Sequence, residues 1–456
     1  MEKRSNFTGK LGFIMAAAGS AVGLGNIWRF PYLAAQYGGG IFLLVYLVLA
    51  VTFGFALMTA ETAIGRKTGV SAIEAFGKLN KKWRFVGYLA AIVPVIILPY
   101  YSVIGGWVVK YLVSFVSGAG TAAADGGAYF SNFISSVGGP LGWFLVFIGI
   151  TAIVVLCGVE KGVEKVSKLM MPVLVVLSMF IAIYTLFMDG AMEGLKYYLV
   201  PNFSHFSVKT VLAAMGQLFY SMSLAMGIMI TYGSYMKKET GIESSVRNIE
   251  VFDTGIAFLA GLMIIPAIFA VGDPSTQLTK GPGLMFIVLP QVFEKMPGGH
   301  IIGAAFFIMV FFAALTSSIS LMETVVSVVM DKFKVGRKTA CILVLVFSII
   351  LGIPSSLGNG VWSGIKIMGL AFLDFFDFIS NSVLMPIVAL LTCIFVGYAT
   401  KPKMVIDEVE INGEKFKSKK LFEIVIKYFA PICIVLILVS SVFDVIYSLI
   451  TGSSWL

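Results

Sequence analysis

The sequence predicts an all-α polytopic membrane protein of about 11 transmembrane helices: a 5+5 inverted repeat with broken helices 1 and 6, plus one extra C-terminal helix. Three observations carry that prediction. The chain is 58% hydrophobic and only 12% charged over 456 residues, whereas soluble domains hold roughly 25% charged residues. Apolar runs long enough to cross a bilayer recur along its whole length. Two of those runs, the first and the sixth, are interrupted by small and polar residues at corresponding places in two sets of five. An odd number of spans per set turns the second set upside down.

In chain order the runs fall at roughly 11–36, 41–65, 85–116, 140–157, 164–187, 207–236, 245–271, 301–332, 338–353, 368–398 and 421–450. The first repeat fills 1–187 and the second 200–398. Residues 401–420 read as a charged cytoplasmic linker, and 421–450 as the extra helix. The ninth run is short, with Ile353-Pro354 closing it. The segment from Gly281 to Pro297 is proline-bounded and apolar in its middle, which reads as a helical hairpin capping the outer surface.

Lys and Arg gather at the ends of the runs, on alternate sides, in clusters at 66–84, 331–338 and 401–420, while 117–140 contains neither. The positive-inside rule then places the N-terminus in the cytoplasm of a cell inner or plasma membrane. An odd number of spans places the C-terminus outside, with Trp455 as an interface anchor. The net charge of +9 is thereby accounted for, with the lipid bilayer and no nucleic acid as partner. Cys157, Cys341, Cys393 and Cys433 stand singly in apolar runs and read as small core hydrophobes. His205 and His300 are lone and loop-proximal. No HExxH, GxSxG or GxxxxGK[ST] pattern occurs, so the chain shows no hydrolytic or nucleotide machinery and reads as no enzyme.

Within the first run, Gly23 and Gly25 weaken the helix, Asn26 brings a polar side chain to membrane depth, and Arg29 brings a charge one turn later. Irregular backbone in a bilayer is tolerated only where it is buried in protein or lines a cavity. A pair of interrupted spans points to a binding site at the midplane, while a glycine-kinked span packed on small residues is the plainer reading. On the eighth run Ala313, Thr316, Ser317 and Ser320 share one helix face. That face offers hydroxyls to the first helix, or merely packs closely against it.

Four segments, GSAVGLGNIWRFPY (19–32), Tyr100-Tyr101, GQLFYSMSLAMG (216–227) and AALTSSIS (313–320), resemble, in this order, the neurotransmitter:sodium symporter family in its short bacterial amino-acid transporter form. The resemblance covers nearly the whole chain and implies the leucine-transporter fold. It implies a sodium-coupled symporter that imports a hydrophobic or aromatic amino acid by alternating access, with two Na+ ions. By this resemblance, one Na+ site uses Ala21, Asn26, Ser221 and Asp253, where relatives more often carry Asn at the last position. The other uses Gly19, Val22, Ala313, Thr316 and Ser317.

The substrate carboxylate would meet the backbone at Gly23, Leu24 and Gly25 and the Tyr101 hydroxyl. The ammonium would meet carbonyls of Ala21, Phe219 and Ser223. Ile97, Tyr101, Tyr220, Ser221, Met226, Ser320 and Leu321 would wall the pocket. Amine transporters of the family carry Asp where this chain has Gly23, which favours an amino acid. Arg29 and Asp377 would form the outer gate, with Tyr220 as lid and Asp374 one turn away. Arg4 and Asp331 would form the inner gate, backed by Tyr235 and Phe7. Asp253 would supply the charge that chloride supplies in animal members, beside Tyr46, Gln217 and Ser221; Ala257 is where some relatives place that carboxylate. Glu61 would hold broken backbone, and Glu323 would extend the polar stripe inward. Gly162 and Pro172 bracket a stretch that resembles one able to unwind. A non-transporting amino-acid sensor and a channel are the alternatives from other classes.

Overall fold

The computed structural model describes residues 6–125, 127–271 and 282–451, and among them every named element is helical. Among the described residues nine helices are long and apolar enough to cross a membrane, or ten with one bent pair. That pair is α1 (Lys10–Ala21) and α2 (Gly25–Gln36), which meet at 54°. After it come α3 (Gly40–Thr68), α4 (Lys81–Val116), α5 (Gly138–Leu156) and α6 (Val159–Leu186). A second discontinuous pair follows, α7 (Val208–Ser221) and α8 (Ile228–Ser234). Each half is too short to cross alone, which is why the expected count of eleven exceeds the nine or ten. The chain continues with α9 (Ile242–Val271), α10 (284–295), α11 (Gly299–Phe333), α12 (Arg337–Leu357) and α13 (Phe372–Ala399). It ends with α14 (Lys403–Val409) and α15 (Lys419–Asp444).

Burial sorts these helices into an inside and an outside. The most apolar stretch of α4 is 83% buried and that of α11 67%, but only 39% in α5, 33% in α6 and 39% in α12 and α15. The second group presents Leu169, Val176, Ile183 and Ile350 outward, as a lipid-facing shell would. The first group surrounds the two breaks. Local signals set the helix ends. Gly38 and Gly39, at φ 94° and 56°, turn the chain from α2 into α3, and α3 stops at left-handed Gly69. The Ser207 hydroxyl accepts from the Thr210 amide at 3.1 Å and starts α7. Helices α3 and α8 lie backbone against backbone: a Cβ on Gly65 would fall 1.9 Å from the Ile230 carbonyl oxygen, and one on Gly233 2.4 Å from that of Thr62.

Four expectations are corrected. The ninth span does not close at Pro354; α12 carries Pro354 inside it and runs to Leu357. The outer segment is one continuous helix over 284–295, not a hairpin. Pro290 sits at the start of a helical stretch, where its missing N–H costs nothing; Gly281 lies outside the described residues. Residues 401–420, read as a charged linker, are not a free tether but pack onto the helices. Val405, Ile406, Val409 and Phe416 are buried, and Arg66 of α3 pairs with Glu408 at 2.8 Å. Cys157 is exposed, unlike the other three cysteines. Trp455 lies outside the described residues.

Candidate functional site

Both discontinuous helices come apart at the same depth and face each other. Helix α1 ends at Val22, whose ψ of 97° is extended. Residues 222–227 between α7 and α8 leave the helix with Ser223 at φ 53°, Ala225 at 59° and Gly227 at 70°. Left-handed serine and alanine are strained by about 1–3 kcal/mol each and persist only where their surroundings hold them. Glu61 of α3, 1% exposed, supplies one such support: its Oε1 accepts from the Ala225 amide at 2.8 Å. Ser223 Oγ donates to the Ser20 carbonyl at 3.0 Å and supplies another.

Between the breaks lies a cavity of about 30 Å³, lined among others by Ala21, Gly23, Leu24, Gly25, Ile97, Tyr101, Tyr220, Ser221, Ser223, Met226 and Leu321. Tyr101 Oη lies 3.5 Å from the Leu24 amide. The glycines matter here. A Cβ on Gly25 would fall 2.3 Å from the Tyr220 ring, and one on Gly23 2.8 Å from Ser317 Oγ. One of the expected residues stands aside: Ser320 is turned to Ser20 and the Ser317 carbonyl. The Phe219 ring packs edge-on against Phe53, whereas the expectation concerns the Phe219 carbonyl. Ser20, Ser317 and Ile228 line the cavity as well. Ser20 is the lining residue hardest to see in sequence, because one serine in an alanine-rich run reads as close packing.

Asp253 of α9 is fully buried against the break in the first helix. Its carboxylate accepts from Asn26 Nδ2 at 2.7 Å, Ser221 Oγ at 3.0 Å and Tyr46 Oη at 3.2 Å. No Lys, Arg or His among the described residues lies within ion-pair distance of it, although a buried carboxylate without a counter-charge is costly. Gln217 Nε2 donates to the Gly25 carbonyl at 3.0 Å, and its Oε1 is buried without a partner. These oxygens suit a small hard cation beside Asp253. Ala257, one turn on, is plain core.

A second oxygen cluster lies where α11 crosses α1. Thr316 Oγ1 donates to the Phe312 and Ala313 carbonyls at 2.9 and 3.2 Å. Ser317 Oγ faces the carbonyls of Gly19, Ser20 and Val22 at 3.4, 3.1 and 3.3 Å. The approach is tight, since a Cβ on Gly19 would lie 3.1 Å from Thr316 Cβ. Carbonyls released by the break, with two hydroxyls, suit a second such ion.

Outside the cavity a wider chamber of about 370 Å³ is lined by Arg29, Tyr100, Tyr220, Asp374, Asp377 and, from α15, Ser440 and Asp444. Tyr220 lines both spaces and separates them. Arg29 and Asp377 border this chamber without an ion pair within 4 Å. Arg29 lies over the Tyr220 ring at 5.3 Å, and Asp377 accepts from Asn381 at 2.6 Å and Tyr100 at 3.3 Å. The Phe286 ring of α10 meets Trp28 and Trp107, and the Tyr111 hydroxyl donates to its carbonyl at 2.9 Å, which seats α10 against α2 and α4.

Of the expected inner gate, Arg4 lies outside the described residues. Asp331 accepts from the Ser71 amide at 2.7 Å. Tyr235 donates to Glu323 at 2.8 Å, and the Phe7 amide donates to the Tyr235 carbonyl at 3.1 Å. Glu323 is a buried partner of Arg337 rather than an extension of the hydroxyl stripe. Gly162 lies in a wound turn continuous with the rest of α6, so the stretch it brackets with Pro172 is helical here.

The chain is similar to known proteins in sequence and in structure. The description "Sodium:neurotransmitter symporter family" fits residues 4–120 and 129–452. The "Uncharacterized sodium-dependent transporter YhdH" of Bacillus subtilis (strain 168) is 36% identical over 96% of this chain and 97% of its own length. The sodium- and chloride-dependent GABA transporter 2 of Bos taurus is 26% identical over 79% and 68%. Among solved structures, MhsT in complex with L-phenylalanine is 39% identical with a TM-score of 0.87, covering 96% of this chain and 100% of that one. Two helix breaks facing one buried cavity, and relatives aligned end to end, lead to one conclusion: the chain is a multi-pass membrane protein and belongs to the sodium:neurotransmitter symporter family.

Proposed function

We propose that the protein is a sodium-coupled symporter importing a hydrophobic or aromatic amino acid, with two Na+ ions and no requirement for chloride. The observation that carries this reading is the buried carboxylate of Asp253, without a cation partner among the described residues, at the rim of a cavity between two helix breaks. One Na+ would sit with Asp253, Asn26, Ser221 and the Ala21 carbonyl, and the substrate carboxylate would share it. A cation and an anion in one low-dielectric site favour each other, so the two bind together. The second ion would sit with Gly19, Val22, Ala313, Thr316 and Ser317. The amides near Gly23 and Gly25 and the Tyr101 hydroxyl would hold the substrate carboxylate. Carbonyls of Ala21, Phe219 and Ser223 would hold the ammonium.

In this reading the helices around the central site alternate between outward-open and inward-open arrangements, with the N-terminus cytoplasmic and the C-terminus outside. Substrate draws Tyr220 over the cavity and closes Arg29 onto Asp377. Loss of the second ion then frees the N-terminal segment and its Arg4–Asp331 latch. The 30 Å³ cavity holds about two waters, so cargo must displace side chains. Met226, unbranched and adaptable, lines that cavity and favours bulky apolar cargo. Replacing Met226 by Ala is expected to weaken competition by large apolar amino acids about tenfold and to spare alanine; an equal loss for both would remove Met226 from the specificity wall.

The test is uptake into proteoliposomes under an inward sodium gradient, with all twenty amino acids as competitors. Accumulation above the outside concentration supports a symporter. A channel only equilibrates its solute, and a sensor takes up nothing; either result would overturn the reading.

A further inference from the structure

The reading above gives the second ion no direct contact with the amino acid, so something must connect them. Ser20, which it leaves without a role, stands between the two sites. The Ser317 hydroxyl carries one hydrogen and faces three carbonyls, those of Gly19, Ser20 and Val22. Two of the three are the carbonyls given to the ion. An ion bound to them repels the hydroxyl hydrogen and takes an oxygen lone pair, which leaves the Ser20 carbonyl as the one acceptor among these three carbonyls.

That same carbonyl accepts from Ser223 Oγ at 3.0 Å. Because Ser223 spends its hydrogen there, the hydrogen between Ser20 Oγ and Ser223 Oγ, 3.0 Å apart, belongs to Ser20. Ser320 Oγ lies 2.8 Å from both the Ser20 hydroxyl and the Ser317 carbonyl, and its one hydrogen is shared between these two acceptors. Ser20 is therefore tied to Ser223 twice and to α11 twice, through Ser317 and Ser320. Ser20 and Ser223 are each 4% exposed and Ser320 fully buried, so bulk water does not replace these bonds. Ser223 is left-handed at φ 53°, a conformation that its neighbours must hold, and its carbonyl is one of those given to the ammonium.

We infer that Ser20 is a positioning residue that couples the second sodium site to the amino-acid site. Ion binding fixes the Ser317 hydrogen on the Ser20 carbonyl, which orders Ser20 and through it the Ser223 backbone. The amino acid then meets a site already ordered, and its affinity rises with sodium. This inference rests on the proposed function, and the experiment separates the two.

Equilibrium binding of tritiated L-phenylalanine, with L-leucine as a second probe, is measured on the purified full chain at low and high sodium, with choline as replacement. Sodium-independent binding, or no binding, by the wild-type chain would count against the proposed function itself. Given sodium-dependent wild-type binding, Ser20→Ala is expected to lower the ratio of the two dissociation constants about tenfold. Ser20→Thr, which keeps the hydroxyl, retains the ratio. A merely structural residue would weaken binding equally at both sodium levels, and an unchanged ratio in Ser20→Ala would overturn the inference. If Ser20→Ala fails to fold, Ser320→Ala removes the donor to the same hydroxyl. It is expected to lower the ratio about threefold, with an unchanged ratio again overturning the inference.

Discussion

Replacing Asp253 by Asn is expected to abolish uptake in chloride-free medium, by about 100-fold or more, and added chloride is expected to restore part of it. The size follows from burial. The carboxylate is wholly enclosed and holds three donors, Asn26, Ser221 and Tyr46, with no cationic side chain among the described residues to balance it. Removing one member of a buried charge pair costs about 3–5 kcal/mol, and each 1.4 kcal/mol is a factor of ten. In the variant the ion beside Asn26 loses that compensating charge. A chloride ion near Tyr46, Ser221 and Gln217 could supply it again. The measurement is initial uptake rate against sodium, with gluconate and then chloride as the anion. Wild-type uptake that stops without chloride would overturn the assignment, and so would a variant as active as the wild type in gluconate.

Arg337→Ala is the second large effect, and it falls on stability. Arg337 pairs with the buried carboxylate of Glu323 through both Nη atoms, and donates to the Val155 carbonyl from Nε at 2.9 Å and Nη2 at 2.7 Å. The inner ends of α5, α11 and α12 thus meet at one guanidinium, and Tyr235 joins them to α8. Truncation leaves Glu323, at 0% side-chain exposure, charged and facing protein. The expected loss is about 3–5 kcal/mol, read as a fall in the thermal midpoint in detergent. Adding Glu323→Gln to Arg337→Ala is expected to recover more than half of it, since the orphaned charge is then gone. An unchanged midpoint in Arg337→Ala, or a double variant no better than the single, would show that the pair carries no such weight.

Asp253 was reached in the sequence through the family resemblance, which groups it with Asn26, and the structure puts their side chains 2.7 Å apart. The two breaks were legible from composition alone: glycine and serine stand where an ordinary span carries leucine. Arg337 was not. It lies in a basic cluster at the end of a span, where the positive-inside rule already explains a charge, and only the folded chain shows it turned inward onto Glu323. Residues 401–420 misled through their charge count, although Val405, Ile406 and Val409 follow a helical period that marks a buried face. The outer segment misled because proline was read as a turn signal, when at the first positions of a helix it is accommodated without loss.

The contact between α3 and α8 at Gly65 and Gly233 reaches beyond packing. With carbonyl groups pressed into the space where side chains would stand, neither helix can slip or roll past its partner without a clash. They form one stiff beam. Whatever tilts the second half of the second broken helix must carry α3 with it, and any opening at that end of the bundle is then a two-helix lever rather than the swing of one short rod.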